Sequence, residues 1–152
     1  MKLNVGDKAP AIQAADQEGK MISLDDLKGS KVILYFYPKD DTPGCTAEAC
    51  NLRDNYEGLL AKGFKIIGVS ADSAASHKKF ALKYNLPFPL IPDTDKTIIN
   101  DYGVWGKKKF LGKEYDGIHR VTFVISEEGN ILKIFDKVQT KDHSDQILAE
   151  VD

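Results

Sequence analysis

The hydrophobic and polar positions alternate between short apolar runs and segments of helical spacing. Residues 32–37 (VILYFY) form a continuous apolar run rich in β-branched and aromatic side chains, and residues 64–70 (FKIIGVS) form a second. Both have the length and composition of buried strands. Between them, TAEACNLRDNYEGLLAKG places Leu52, Tyr56, Leu59 and Leu60 at helical intervals and ends at Gly63, a helix stop signal. Strand, helix and strand in this order predict a βαβ unit. SAASHKKFALKYN predicts another helix, with Phe80, Leu82 and Tyr84 among charged positions, ended by Asn85 and the proline-rich LPFPLIP. Residues 120–125 (RVTFVI) and 131–135 (ILKIF) read as two further strands, and the turn-like SEEGN between them predicts an antiparallel hairpin. HSDQILAEVD closes the chain as a short amphipathic helix. The lysine run at residues 107–109 reads as a solvated loop, with Trp105 and Phe110 beside it as packing residues.

A sheet that is parallel across the βαβ unit and antiparallel at the terminal hairpin points to an α/β fold of thioredoxin-like type, a mixed central sheet flanked by helices, with an N-terminal β extension. No repeat, low-complexity linker or composition break divides the 152 residues, so residues 1–152 are expected to form a single domain. A chain of this length buries roughly two thirds of its unfolded surface and needs no disulfide scaffold. The net charge of -2 offers no general attraction to nucleic acid or to an anionic membrane. No apolar run reaches the ~18 residues of a membrane span, and MKLNVGDKAPAIQAADQEGK lacks the apolar core of a signal peptide. These features predict a cytoplasmic protein, in whose reducing surroundings cysteines are reactive more often than structural.

The chain has two cysteines, and both fall in YFYPKDDTPGCTAEAC, directly behind the first strand. PKDDTPG is loop-forming, so Cys45 is expected in the first turn of the following helix, where unpaired N–H groups and the helix dipole favour the thiolate. Asp40 and Asp41 would oppose this if they pointed inward, so a cation is required. Arg120, at the head of RVTFVI, is the candidate if that strand runs beside the one leading to Cys45. Cys50 lies five residues on, which in a regular helix puts its Cα ~8.7 Å from that of Cys45, beyond the ~6.8 Å that a disulfide tolerates. The pair can therefore bond only if the helix unwinds, a spacing that suits a redox cycle better than a staple. Two thiolates without a clustered third ligand do not make a zinc site, and His77, His119 and His143 are scattered along the chain.

YPKDDTPGCTAEAC, together with GVWGKKKFLGKEYDGIHRVTFVI, resembles the peroxiredoxins of the bacterioferritin-comigratory protein or Q branch, and the likeness runs from VGDKAP to the strand after Arg120. The family pattern of proline, three residues, threonine, two residues and cysteine is met by Pro38, Thr42 and Cys45. The resemblance implies a thiol peroxidase in which Cys45 is the peroxidatic cysteine, Cys50 the resolving cysteine, and Thr42 and Arg120 bind and polarise the peroxide. Pro38, Pro43 and Gly44 would line the pocket, and Glu48 would either orient Arg120 or favour the helix N-terminus. The implied substrate is a hydroperoxide and the implied reductant thioredoxin or a similar dithiol, acting on a monomer without metal or organic cofactor. Plainer readings stand beside these: Thr42 as a helix cap, Arg120 as a surface ion-pair partner, Cys50 as a buried core thiol. His119, next to Arg120 on a strand, is expected on the opposite face with a structural role. A thioredoxin-type disulfide reductase would carry C-x-x-C at the helix start, which is absent.

Overall fold

A computed structural model describes residues 3–151. Its centre is a five-stranded mixed sheet in the order β5 (Leu90–Pro92), β4 (Phe64–Ser70), β3 (Lys31–Phe36), β8 (Val121–Ile125), β9 (Ile131–Phe135). The four long strands are the four apolar runs of the sequence. β3 runs parallel to β4 (Leu34 opposite Ile67) and antiparallel to β8 (Phe36 opposite Val121), and β8 pairs antiparallel with β9. The β8–β9 turn closes with Gly129 N–H donating to the Ser126 carbonyl at 3.0 Å. The N-terminal extension is the antiparallel hairpin β1 (Gln13–Ala15) with β2 (Met21–Ser23). This is the mixed thioredoxin-like architecture expected.

Alternation along the strands splits the core in two. Val32, Leu34 and Phe36 of β3 pack on one face with Ile67, Val69, Ile99, Tyr102 and Phe123. Ile33, Tyr35 and Tyr37 pack on the other with Cys45, Ala49, Leu52, Phe80, Phe88 and Ile147. That second face is covered by α1 (Pro43–Asp54), α3 (Ala74–Tyr84) and α5 (His143–Val151), the last of which the sequence predicted through Asp152, a residue outside those described. Gly68 is obligatory beneath it: a Cβ there would stand 2.8 Å from the Tyr35 ring and 2.7 Å from Leu90.

Five local readings need correction. The long helix after Cys45 is two, α1 and α2 (Tyr56–Ala61), parted at Asn55, whose side-chain N–H donates to the Asn51 carbonyl at 2.8 Å. Part of LPFPLIP is strand β5, and α4 (Thr97–Asp101) was not foreseen. Leu82, taken as an apolar helix position, is 73% exposed. The lysine run is not a loop: β6 (Trp105–Phe110) and β7 (Lys113–Ile118) form a separate antiparallel hairpin. Its cross-strand pairs Lys107–Asp116 and Lys109–Glu114 bring opposite charges together on one face, which stabilises pairing without an apolar pattern. Phe110 is 66% exposed and so is no packing residue; Trp105 is partly exposed, with the Lys96 ammonium 5.0 Å above its ring.

Candidate active site

β3 ends at Phe36, and PKDDTPG turns the chain into α1, whose first residue is Pro43. Proline suits that place because its missing N–H would have had no helical partner. The Gly44 and Cys45 N–H groups have no intrahelical acceptor either, since the first such bond is Thr46 N–H to the Thr42 carbonyl at 2.8 Å. Cys45, Glu48, Ala49 and Leu52 form the buried stripe of α1. Cys45 is 1% exposed. Because β8 lies antiparallel beside β3, Arg120 emerges just before Val121 at the end of the sheet where β3 delivers the chain to α1. Its Nη2 lies 3.3 Å from Cys45 Sγ, and its Nη1 donates to Glu48 Oε1 at 2.8 Å. Gly44 permits this approach: a Cβ there would come within 3.0 Å of Arg120 Nη2.

The electrostatics follow from this packing. Burial works against the Arg120 cation, but Cys45 and Glu48 outweigh it and hold its pKa above the ordinary value. Burial pushes Glu48 up to about 7, with the Arg120 charge and hydrogen bond holding back part of the rise. Both acids flanking the loop turn away from the thiol. Asp40 accepts from the Tyr37 hydroxyl at 2.6 Å and the Ser76 hydroxyl at 2.7 Å, and lies 2.7 Å from His77 Nδ1. Asp41, with a left-handed φ of 58°, is exposed and pairs with Lys83 and the Tyr84 hydroxyl at 2.8 Å each, which lowers its pKa. Asp40, Asp72 and His77 thus form a compact group, though their side-chain atoms are already engaged with one another and with Tyr37, Ser70 and Ser76.

The structure brings Cys45, Glu48, Gly44 and Arg120 together. The Thr42 hydroxyl donates to the Lys39 carbonyl at 2.9 Å; among the described residues it bonds neither to the thiol nor to the helix N–H groups as a cap. Pro38 is half-buried and Pro43 exposed. Cys50 is half-buried and unbonded on the same unbroken helix as Cys45. Just beyond it, Asn51 clamps α1 to the start of α5, donating to the Lys141 carbonyl at 3.1 Å and accepting from Ser144 N–H at 2.8 Å. His119 lies outside β8 and faces Gly106 at the base of the β6–β7 hairpin. Two neighbours carried no sequence signal. His143 Nε2 stands 3.6 Å from Glu48 Oε2, and Lys108 is close enough for the Arg120 and Cys45 charges to act on its pKa, which burial and Arg120 lower.

A buried thiol in the first turn of the helix after the central strand, with an arginine on its sulfur, defines a thiol-based oxidoreductase of the thioredoxin fold. The chain belongs to the AhpC/TSA family, which it matches over residues 5–134, and within it to the Bcp or Q branch of the peroxiredoxins, which are thiol peroxidases. It is 47% identical to peroxiredoxin Bcp of Bacillus subtilis, covering 94% of this chain and 91% of that protein. It is 44% identical to peroxiredoxin Bcp of Escherichia coli K12, covering 96% and 94%. Among solved structures it superimposes on peroxiredoxin Q of Xanthomonas campestris with a TM-score of 0.84 at 36% identity, covering 91% of this chain and 88% of that one.

Proposed function

We propose that this peroxiredoxin reduces hydrogen peroxide and organic hydroperoxides through a Cys45 sulfenic acid and an internal Cys45–Cys50 disulfide, which thioredoxin or a similar dithiol returns to the reduced state. The observation that carries the reading is the 3.3 Å approach of Arg120 Nη2 to Cys45 Sγ at a helix N-terminus. The thiolate attacks one peroxide oxygen, the O–O bond breaks, and the other oxygen leaves as hydroxide or alkoxide and takes up a proton. Arg120 and the Gly44 and Cys45 N–H groups stabilise the charge on the departing oxygen. Thr42, its hydroxyl proton committed to Lys39, accepts from the peroxide O–H. Pro38 and Pro43 border the approach to the thiol, and Glu48 orients Arg120. Cys50 then condenses with the sulfenic acid, water leaves, and a dithiol exchanges with the resulting disulfide.

A bacterioferritin comigratory protein of Xanthomonas campestris with the same fold is described by its alkyl peroxide reduction activity, which supports the organic part of the substrate range. The cycle needs a compartment that keeps dithiols reduced, which supports a cytoplasmic location, and an internal disulfide needs no cysteine from a second subunit, which supports a monomer. Among the described residues no helix is long and apolar enough to cross a membrane. Rapid mixing of the reduced protein with peroxide, followed by mass spectrometry, tests the scheme. Cys45 should gain an oxygen and then lose it as the internal disulfide forms. Turnover surviving in Cys45→Ser would refute the assignment of Cys45, and purely intermolecular disulfides in the parent would refute that of Cys50.

A further inference from the structure

Glu48 is fully buried yet half satisfied. Oε1 accepts from Arg120, while Oε2 has no hydrogen-bond partner among the described residues and lies 3.6 Å from His143 Nε2. The state of that nitrogen follows from the far side of the ring. Gln146 Oε1 accepts the Gln139 N–H at 3.0 Å and the Gln146 side-chain N–H donates to the Lys137 carbonyl at 2.9 Å, which fixes the amide orientation. Oε1 is therefore the acceptor facing His143 Nδ1 at 2.9 Å, and Nδ1 carries a proton. In a neutral ring, Nε2 then presents a lone pair, with the Thr122 hydroxyl 2.8 Å away as its donor. Nε2 then has no proton to offer, and its partial negative charge repels a carboxylate oxygen 3.6 Å away in a buried site; a proton on Oε2 relieves the conflict.

We propose that His143 is a positioning residue for the peroxidase reaction: its lone-pair edge adds to burial in holding Glu48 in the carboxylic acid form on the acid side of neutrality, so that there the charge of Arg120 is delivered to Cys45 and not divided with Glu48. The proposal rests on Cys45 being the reactive thiol. Burial, opposed by Arg120, puts Glu48 at about 7; burial, opposed by the Gln146 hydrogen bond, puts His143 at about 4. Between those values the acid is protonated and the ring neutral. Above about pH 7 Glu48 ionises and Arg120 is shared between two anions. The groups around the pair come from every neighbouring element: Tyr35 from β3, Arg120 and Thr122 at the start of β8, Gln146 on α5, the Phe135 ring edge-on to His143 from β9, and beyond Arg120 both Cys45 of α1 and Lys108 of β6, whose pKa feels the Arg120 and Cys45 charges. Arg120 and Lys108 are the cations. Tyr35 stays neutral, because burial, and then Glu48, hold its phenol well above the ordinary range.

The test is the pH dependence of Cys45 alkylation by iodoacetamide in the reduced parent, His143→Phe, Glu48→Gln and the double variant. His143→Phe removes the lone pair, so Glu48 ionises at lower pH and the alkylation midpoint of Cys45 should rise by roughly 0.5–1 pH unit. In the Glu48→Gln background the same substitution should leave the midpoint in place. A shift of equal size in both backgrounds, as a merely structural role would give, overturns the proposal, and so does no shift in either. If His143→Phe does not fold, nitrogen NMR of the parent decides: a proton on Nδ1 and none on Nε2 supports the proposal, and the reverse tautomer overturns it. Failure of Cys45 to alkylate in the parent would overturn the peroxidase reading and this proposal with it, and it shows before any variant is compared.

Discussion

Glu48→Gln should stabilise the reduced protein, and by more as the pH is raised. Burial lifts the folded-state pKa of Glu48 from 4.5 to about 7, so the folded protein holds this proton more tightly than the unfolded chain does. The stability it contributes is complete below 4.5 and is lost as the pH rises to about 7. At about 1.4 kcal/mol per pH unit, that interval corresponds to about 3 kcal/mol. His143 acts in the opposite sense: its pKa falls from 6.5 to about 4 on folding, so its stabilising effect is lost as the pH drops through that range. In the parent the two slopes largely cancel where they overlap. Glutamine is neutral throughout, and its carbonyl still accepts from Arg120. Glu48→Gln should therefore match the parent near pH 4.5 and exceed it by up to about 3 kcal/mol above pH 7, with a profile that climbs from about 4 to 6.5 on His143 alone. Urea unfolding under reducing conditions across this range measures the difference. A difference independent of pH, or a variant that loses ground as the pH rises, would refute the reasoning.

Arg120→Met removes the cation on the sulfur and one oxyanion donor, so peroxide reduction should slow by roughly 100-fold and the alkylation midpoint of Cys45 should move up. Stopped-flow and iodoacetamide titration read the two effects. Gly44→Ala pushes a methyl to 3.0 Å from Arg120 Nη2 and should slow the oxidation step about tenfold while leaving thermal stability nearly unchanged. Cys50→Ser should consume one equivalent of peroxide as fast as the parent, lose dithiol-dependent turnover, and add further oxygens to Cys45 at lower peroxide, as mass spectrometry will show. Oxidised parent protein should lose amide hydrogen-exchange protection over residues 45–52; full protection there would exclude the internal disulfide.

Periodicity was informative wherever burial alone dictated the residue. VILYFY, FKIIGVS and VTFVI are strands because both faces of the central sheet are covered there, which demands continuous apolar runs, while ILKIF, at the sheet's edge, buries Ile131 and Phe135 and leaves Leu132 exposed. The β6–β7 hairpin escaped notice because its positions are mostly exposed and carry no apolar pattern, and its lysines have the composition of a loop. The break at Asn55 escaped because apolar spacing continues across it through Leu52, Tyr56 and Leu59. At the site, the cysteine and its helix start were legible locally, and Arg120 followed from the family pattern and the β3–β8 pairing. His143 was not legible. It meets Glu48 only because α5 packs back across α1, and no local pattern marks a contact made at that separation.

The unbroken course of α1 also sets a clock. Asn51 pins the helix to Lys141 and Ser144, Glu48 ties it to Arg120, and Arg53 donates to the Tyr84 carbonyl at 2.8 Å. Under the mechanism proposed, a sulfenic acid on Cys45 waits for that helix to open before Cys50 can reach it, and during the wait a second peroxide competes. The partition between recovery and irreversible oxidation is the opening rate divided by the product of peroxide concentration and the rate constant of over-oxidation. The dose at which such a molecule destroys itself is therefore governed by the mechanical grip on one helix: loosening it raises the tolerated concentration, and tightening it lowers the threshold of failure.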